Sequence, residues 1–121
     1  MTMRRLAIAG TLALGLLAGC TSPTPRADDG WAMLVAQDYA GARAYYEQAV
    51  AANPDDPYVH LNLGVAYEKL GDKERAAQHY RVALANGQEA EITEVAEDGR
   101  VAARRTTVAR LAEENLAGLG S

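Results

Sequence analysis

An internal repeat constrains the fold of this chain more than any other feature of its sequence. Residues between 30 and 51 return at a constant spacing between 64 and 85. A period of about 34 residues indicates structural units that stack on one another. The recurring residues are small or aromatic and lie at helical spacing, which favours closely packed helices with a ring between them. The recurring pairs are Gly30 and Gly64, Ala32 and Ala66, Asp38 and Asp72, Ala42 and Ala76, Tyr46 and Tyr80, Ala49 and Ala83, and Ala51 and Ala85.

The second unit, residues 57–86, carries the motifs of a known repeat. These are NLGVAY at 62–67, GD at 71–72, Ala76, Tyr80 and Ala83. In these motifs the chain resembles the tetratricopeptide repeat, a helix-turn-helix unit of about 34 residues. The first unit is similar but has a shorter first helix, and Gln37 stands where glycine is usual in the family. The resemblance implies an all-α solenoid of two units, residues 30–87, that acts as a scaffold.

Helix-ending residues and apolar periodicity predict where the helices lie. Proline cannot continue a helix, so the Pro54 region ends the second helix, and Pro57 is suited to begin the third. Gly71 is free to take a positive φ, and Asp72 can cap the fourth helix. The predicted helices cover about residues 27–37, 39–52, 57–70 and 73–86, with a last one to about 119 capped by Thr106 or Thr107.

Each predicted helix has one apolar face that we expect to be buried, because its apolar residues recur every three or four positions. Ala76 and Ala83 are expected at helix contacts, since both lie on such a face and recur at the repeat period. The expected buried residues are Tyr39, Ala42, Tyr46, Ala49, Val50, Val59, Leu63, Ala66, Tyr67, Leu70, Ala76, Ala77, Tyr80, Ala83, Leu84, Val108, Leu111, Ala112 and Leu116.

The repeat register ends after Gly87. Residues 88–105 mix charged with isolated apolar side chains and are interpreted as an irregular connector with a turn at Asp98 and Gly99. Three of its apolar residues, Ile92, Val95 and Val101, suit either a short hairpin or a helix. The terminal helix, within residues 106–119, is expected to cover the open end of the stack, because each unit buries its face only on a neighbour.

The N-terminus has the features of a secretion signal. Arg4 and Arg5 precede residues 6–19, which are uncharged and largely apolar. This run is shorter than the roughly 20 residues that span a bilayer, so it favours a signal peptide, residues 1–19. Residues 17–20, Leu-Ala-Gly-Cys, resemble the lipobox of bacterial lipoproteins, which implies cleavage before Cys20 and acylation of its thiol. An ordinary signal peptide with an incidental cysteine, or an uncleaved anchor, are the alternatives.

Residues 20–29 then form a tether between the lipid and the repeats. They include two prolines among polar residues and reach roughly 25 Å when extended. By resemblance to lipoproteins of bacteria with two membranes, Thr21 in place of aspartate implies the outer membrane. We therefore expect a lipid-anchored protein of the bacterial cell envelope that faces the periplasm.

Composition and charge argue against several functional classes. The formal net charge of −4 would become more negative on loss of Arg4 and Arg5, whereas nucleic-acid binding needs a cationic face. Cys20 is the only cysteine, so no internal disulfide can form. After it the only serines are Ser22 and Ser121, both in expected flexible ends, which disfavours a serine nucleophile.

No cofactor, metal or catalytic site is expected. His60 and His79 fall on different predicted helices without another histidine or cysteine at ligand spacing, so ordinary packing or surface roles are favoured. The acidic pairs at 28–29 and 55–56 lie at helix starts, where a carboxylate complements the helix N-terminus. We expect that the chain is not an enzyme.

A partner surface is implied by the family resemblance, because the first helix of each repeat lines the concave face. Tyr58, Leu61 and Val65 lie off the buried face of their helix, so they are expected to point outward as a binding groove. The alternative is that the terminal helix or the tether covers them. The candidate partner-binding residues are Trp31, Leu34, Val35, Tyr58, Leu61, Asn62, Val65, Glu68 and Lys69.

These features predict a membrane-anchored adaptor or assembly factor that binds a protein or peptide in the envelope. A structural subunit of an envelope machine, such as a pilus, a secretion system or outer-membrane assembly, is the nearest alternative. An envelope hydrolase would need paired carboxylates in a cleft about 5 to 9 Å apart. The acidic residues of this chain are instead spread along the predicted helices.

Overall fold

The computed structural model describes residues 5–8, 27–96 and 101–120. The short helical solenoid predicted from the sequence is confirmed, and a small antiparallel sheet is added to it. Helix α1 ends earlier than predicted, at Val35. The described elements are α1 (Ala27–Val35), α2 (Tyr39–Ala52), α3 (Pro57–Lys69), α4 (Lys73–Asn86), α5 (Val108–Leu119), β1 (Arg5–Ile8), β2 (Glu91–Ala96) and β3 (Val101–Thr107).

The helices stack in sequence order. Helix α1 packs on α2, α2 on α3, and α3 on α4, and α5 covers the end of the stack against α4 and α3. Thr107 caps α5 by accepting a hydrogen bond from the backbone N–H of Arg110 at 3.2 Å. Helix α3 therefore lies at the centre of the stack, with other helices on several sides.

The turn inside each unit has the same construction. Gly71 takes a φ of 87°, as predicted, and Gln37 takes a φ of 62° at the equivalent position of the first unit. The next residue caps the following helix: Asp38 accepts from Gly41 N and Asp72 from Arg75 N, both at 3.0 Å. A left-handed conformation costs a residue with a Cβ about 1–2 kcal/mol, so the first turn is the less stable of the two.

In each unit a glycine of the first helix packs against a tyrosine ring of the second helix. A Cβ placed on Gly30 would lie 2.6 Å from Cζ of Tyr46, and a Cβ on Gly64 would lie 2.5 Å from Cε1 of Tyr80. Both tyrosines are fully buried. The backbone of the first helix and the ring of the second approach so closely that only glycine fits, which explains why both pairs recur at the repeat period.

Most of the predicted core is confirmed. Ala76 and Ala83 are completely inaccessible to solvent, as is Ala42 in the first unit. Small side chains at these positions let neighbouring helices approach. The prediction for Leu70 was wrong, because this residue follows the last residue of α3 and is 41% exposed.

The segment after the repeats contains a β-hairpin. Strand β2 pairs antiparallel with β3, with Ile92 opposite Thr106 and an irregularity between Thr93 and Val95. The interpretation of residues 88–105 as irregular was therefore wrong, and the hairpin alternative describes them. The β-branched residues of this segment suit a pleated strand. Val108 N donates to Ala90 O at 2.8 Å, which ties the hairpin to the start of α5. The turn predicted at 98–99 lies outside the described residues.

A short strand from the N-terminus completes the sheet. Strand β1 pairs antiparallel with the free edge of β2, which gives the order β1-β2-β3. It also contacts α1, α3 and α5. This strand falls within the predicted signal peptide, and its pairing was not foreseen. The other residues of the signal peptide, Cys20 and most of the tether lie outside the described residues, and no described helix has the length and hydropathy to cross a membrane.

Gly64→Ala should destabilise the fold, because the new methyl group would overlap the Tyr80 ring. Overpacking of this kind should lower the free energy of unfolding by about 1–3 kcal/mol, although alanine is the better helix former. Urea unfolding of the purified protein measures the loss.

Gly120→Ala is the matched control, since a Cβ there would meet only Ala117 O at 3.8 Å. It should change the free energy of unfolding by less than about 0.5 kcal/mol. Equal effects of the two substitutions would contradict the proposed glycine–tyrosine constraint.

Candidate functional site

The candidate site is formed by the helices that correspond to the concave face of the repeat. We call the surface of α1, α3 and the β1-facing edge of β2 the inner groove. In the full chain β1 lies in this groove, paired with β2 and in contact with α1 and α3. Strand β1 therefore lies against the two helices on which the sequence predicted a partner surface.

The candidate partner-binding residues are covered to different extents. Tyr58, Leu61 and Val65 were expected to point outward, but Leu61 and Val65 are fully buried and Tyr58 is half-buried. Helix α3 packs on α1, α2, α4, α5 and β1, so more than one of its faces is covered. Leu34 and Asn62 are also buried, and the half-buried candidates are Trp31, Val35, Glu68 and Lys69.

Two of the polar candidates support the tyrosine rings of the repeat. Asn62 Nδ2 donates to the Tyr46 hydroxyl at 3.2 Å, and the Tyr80 hydroxyl donates to Glu68 Oε2 at 2.7 Å. Buried tyrosine hydroxyls usually find such partners. The recurrence of Tyr46 and Tyr80 is a sequence signal from which partners for the two hydroxyls could have been expected, although it does not by itself identify Asn62 and Glu68.

Tyr58 joins the helices to the sheet. Its hydroxyl donates to the backbone oxygen of Glu91 at 2.9 Å, at the first residue of β2. Burial raises the pKa of this hydroxyl, and the negative charges of Asp56 and Glu91 raise it further. The phenol therefore stays protonated and keeps its role as a donor. Asp56 also caps α3 by accepting from Tyr58 N at 2.9 Å.

Two buried side-chain donors have no hydrogen-bond partner among the described residues. They are Trp31 Nε1 on α1 and Asn115 Nδ2 on α5. Both helices contact β1. An unsatisfied buried donor costs about 1–3 kcal/mol.

The structure brings together two histidines that the sequence placed on separate helices. His60 Nδ1 and His79 Nδ1 are 3.0 Å apart, and His60 Nε2 lies 2.6 Å from Pro54 O. A carbonyl oxygen only accepts, so His60 Nε2 carries a proton and donates it to Pro54 O. Between the two Nδ1 atoms, one ring donates and the other accepts. Among the described residues no group of three or more potential ligands could hold a metal ion.

The surroundings of His79 disfavour its charged form. Burial lowers the pKa of His79, proximity to His60 lowers it further, and only Glu47 acts in the opposite direction. The Tyr67 ring lies parallel to His79 with centroids 5.5 Å apart, and its hydroxyl donates to Glu47 Oε1. Arg75 lies 5.8 Å from the centroid of the same ring.

Stability should fall as the pH is lowered from about 7.5 to 5.5. Unfolded His79 binds protons near its ordinary pKa of 6.5, whereas the folded state binds them only at lower pH. The stabilising contribution of neutral His79 is therefore fully present above about pH 6.5 and is lost on acidification. Urea unfolding at both pH values should show a smaller change in the free energy of unfolding in His79→Gln, whose amide can still hydrogen-bond to His60. An equal pH dependence in both proteins would contradict this assignment.

Comparison with known protein families matches residues 29–91 to the tetratricopeptide repeat. The match spans slightly more than half of the 121 residues and contains α2, α3, α4 and nearly all of α1. The glycine–tyrosine pairs of both units lie within it. Comparisons with curated proteins and with solved structures give no match. The chain therefore belongs to the tetratricopeptide repeat family.

Proposed function

We propose that this protein is a lipid-anchored adaptor that binds a protein partner in its inner groove at the bacterial cell envelope. Repeats of this family are generally non-catalytic modules of protein–protein interaction, so the family match supports the binding role. The observation that carries the proposal is the position of β1. The segment predicted to be removed on export fills the surface predicted to bind a partner.

Removal of residues 1–19 would uncover part of the surface of α1 and α3, because β1 contacts both helices. Helices α1 and α3 both contact β1, and they carry Leu34, Leu61 and Val65, which are buried in the full chain. Uncovered apolar surface of this kind marks interaction sites in soluble domains. The binding surface would therefore become exposed only when residues 1–19 have been removed.

Acylation of Cys20 would hold that surface close to the membrane. A single acyl chain anchors a protein weakly, whereas the two or three chains of a lipoprotein anchor it stably. The short tether of residues 20–29 would keep the repeats within roughly 25 Å of the lipid headgroups. A partner in the same membrane or just beside it suits this reach.

The carboxylates of the described residues favour binding over hydrolysis. Three of them cap helices and two accept hydrogen bonds from tyrosine hydroxyls, so each of these five has a role in the scaffold. The three caps are Asp38, Asp56 and Asp72, and the two acceptors are Glu47 and Glu68.

A structural subunit of an envelope machine would use the same groove but keep one partner permanently.

Site-specific photo-crosslinking in intact membranes tests the proposal. Tyr58→p-benzoylphenylalanine keeps an aromatic ring at the groove and should form an adduct with a partner protein. Tyr39→p-benzoylphenylalanine is the matched control, because Tyr39 is also half-buried but begins α2, outside the groove. It should form no adduct.

The substitution Cys20→Ser tests the lipid anchor in the same experiment. This substitution should abolish incorporation of labelled fatty acid, and the adduct from position 58 should disappear because the N-terminal segment stays in the groove. Equal labelling with and without Cys20 would contradict the anchor. Equal adducts from positions 39 and 58 would contradict the groove.

A further inference from the structure

We propose that the partner binds as an extended strand that pairs antiparallel with the edge of β2 occupied by β1 in the full chain. This inference rests on the proposed function, because the edge becomes free only when residues 1–19 are removed. It adds the backbone geometry and the chemical character of the partner segment.

The pairing in the full chain shows what the edge accepts. Strand β1 runs antiparallel to β2, with Leu6 opposite Val95 and Ile8 opposite Thr93. Strand β3 occupies the other edge of β2. Loss of β1 would leave one row of N–H and C=O groups unpaired, and such an edge is a template for an added strand.

The contacts of β1 favour a strand over a helix. Strand β1 pairs with β2 and at the same time contacts α1, α3 and α5. Pairing with the β2 edge requires an extended backbone about 4.8 Å from it. A helix would also leave the backbone groups of the β2 edge without partners.

The charge of β2 indicates a heterologous partner. Glu91 and Glu94 lie in this strand, so edge-to-edge pairing of two copies would place two acidic strands side by side, and like charges on paired strands are destabilising. The native strand has a basic residue, Arg5, followed by Leu6, Ala7 and Ile8. The partner segment is therefore a short apolar strand with a basic residue beside it.

A synthetic peptide with the sequence of residues 3–10, MRRLAIAG, is the probe for the free edge. The protein is expressed as the full chain and extracted from membranes, and mass spectrometry identifies its N-terminus. Trp31 is the only tryptophan and lies on α1, which contacts β1, so its fluorescence should change when the peptide fills the groove.

Two N-methylated peptides test for strand pairing. Successive N–H groups of a strand point to opposite sides, so only alternate ones can bond to β2. Methylation of the amides at positions 6 and 8, or at 5 and 7, should therefore have unequal effects. One peptide should bind about tenfold more weakly than the unmodified probe, and the other about equally well.

The outcomes separate the inference from the proposed function. An acylated N-terminus at Cys20 with alternating sensitivity to methylation supports both. Three results obtained with the same acylated N-terminus would overturn strand addition and leave the adaptor proposal in place. They are the absence of peptide binding, equal weakening of binding by both methylated peptides, and a dimer of the protein in sedimentation. Retention of residues 1–19 overturns both, because the edge would remain filled.

Discussion

The contact between a glycine on one helix and a tyrosine ring on the next determines the shape of this protein. Gly30 with Tyr46 and Gly64 with Tyr80 bring the two helices of each unit so close that no larger residue fits. The buried rings need partners for their hydroxyls, and α3 supplies these through Asn62 and Glu68. The same contacts thus place α3 in the stack and with it one wall of the inner groove.

The local features of the fold could be predicted because they depend on neighbouring residues. The turn at Gly71, the cap by Asp72, and the burial of Ala76 and Ala83 all follow from the repeat and from helix chemistry. The burial of Leu61 could not be predicted from its own helix, since α3 contacts α1, α2, α4, α5 and β1 and burial depends on how these contacts combine. The approach of His60 to His79 has the same long-range origin.

The position of β1 would link the proposed maturation of the chain to its proposed activity. A groove that holds β1, which lies in the predicted signal peptide, would be closed before the proposed processing and open afterwards. The buried apolar residues of α1 and α3 would then be protected during synthesis, when uncovered apolar surface promotes aggregation.

Hydrogen exchange of the backbone amides of β2 tests the central claim most directly. The comparison is between the processed protein and Cys20→Ser, which should keep its N-terminal segment. The account predicts that the amides of residues 91–96 that face β1 exchange faster in the processed protein, while those that face β3 stay protected in both. Identical exchange along the whole of β2 would contradict it.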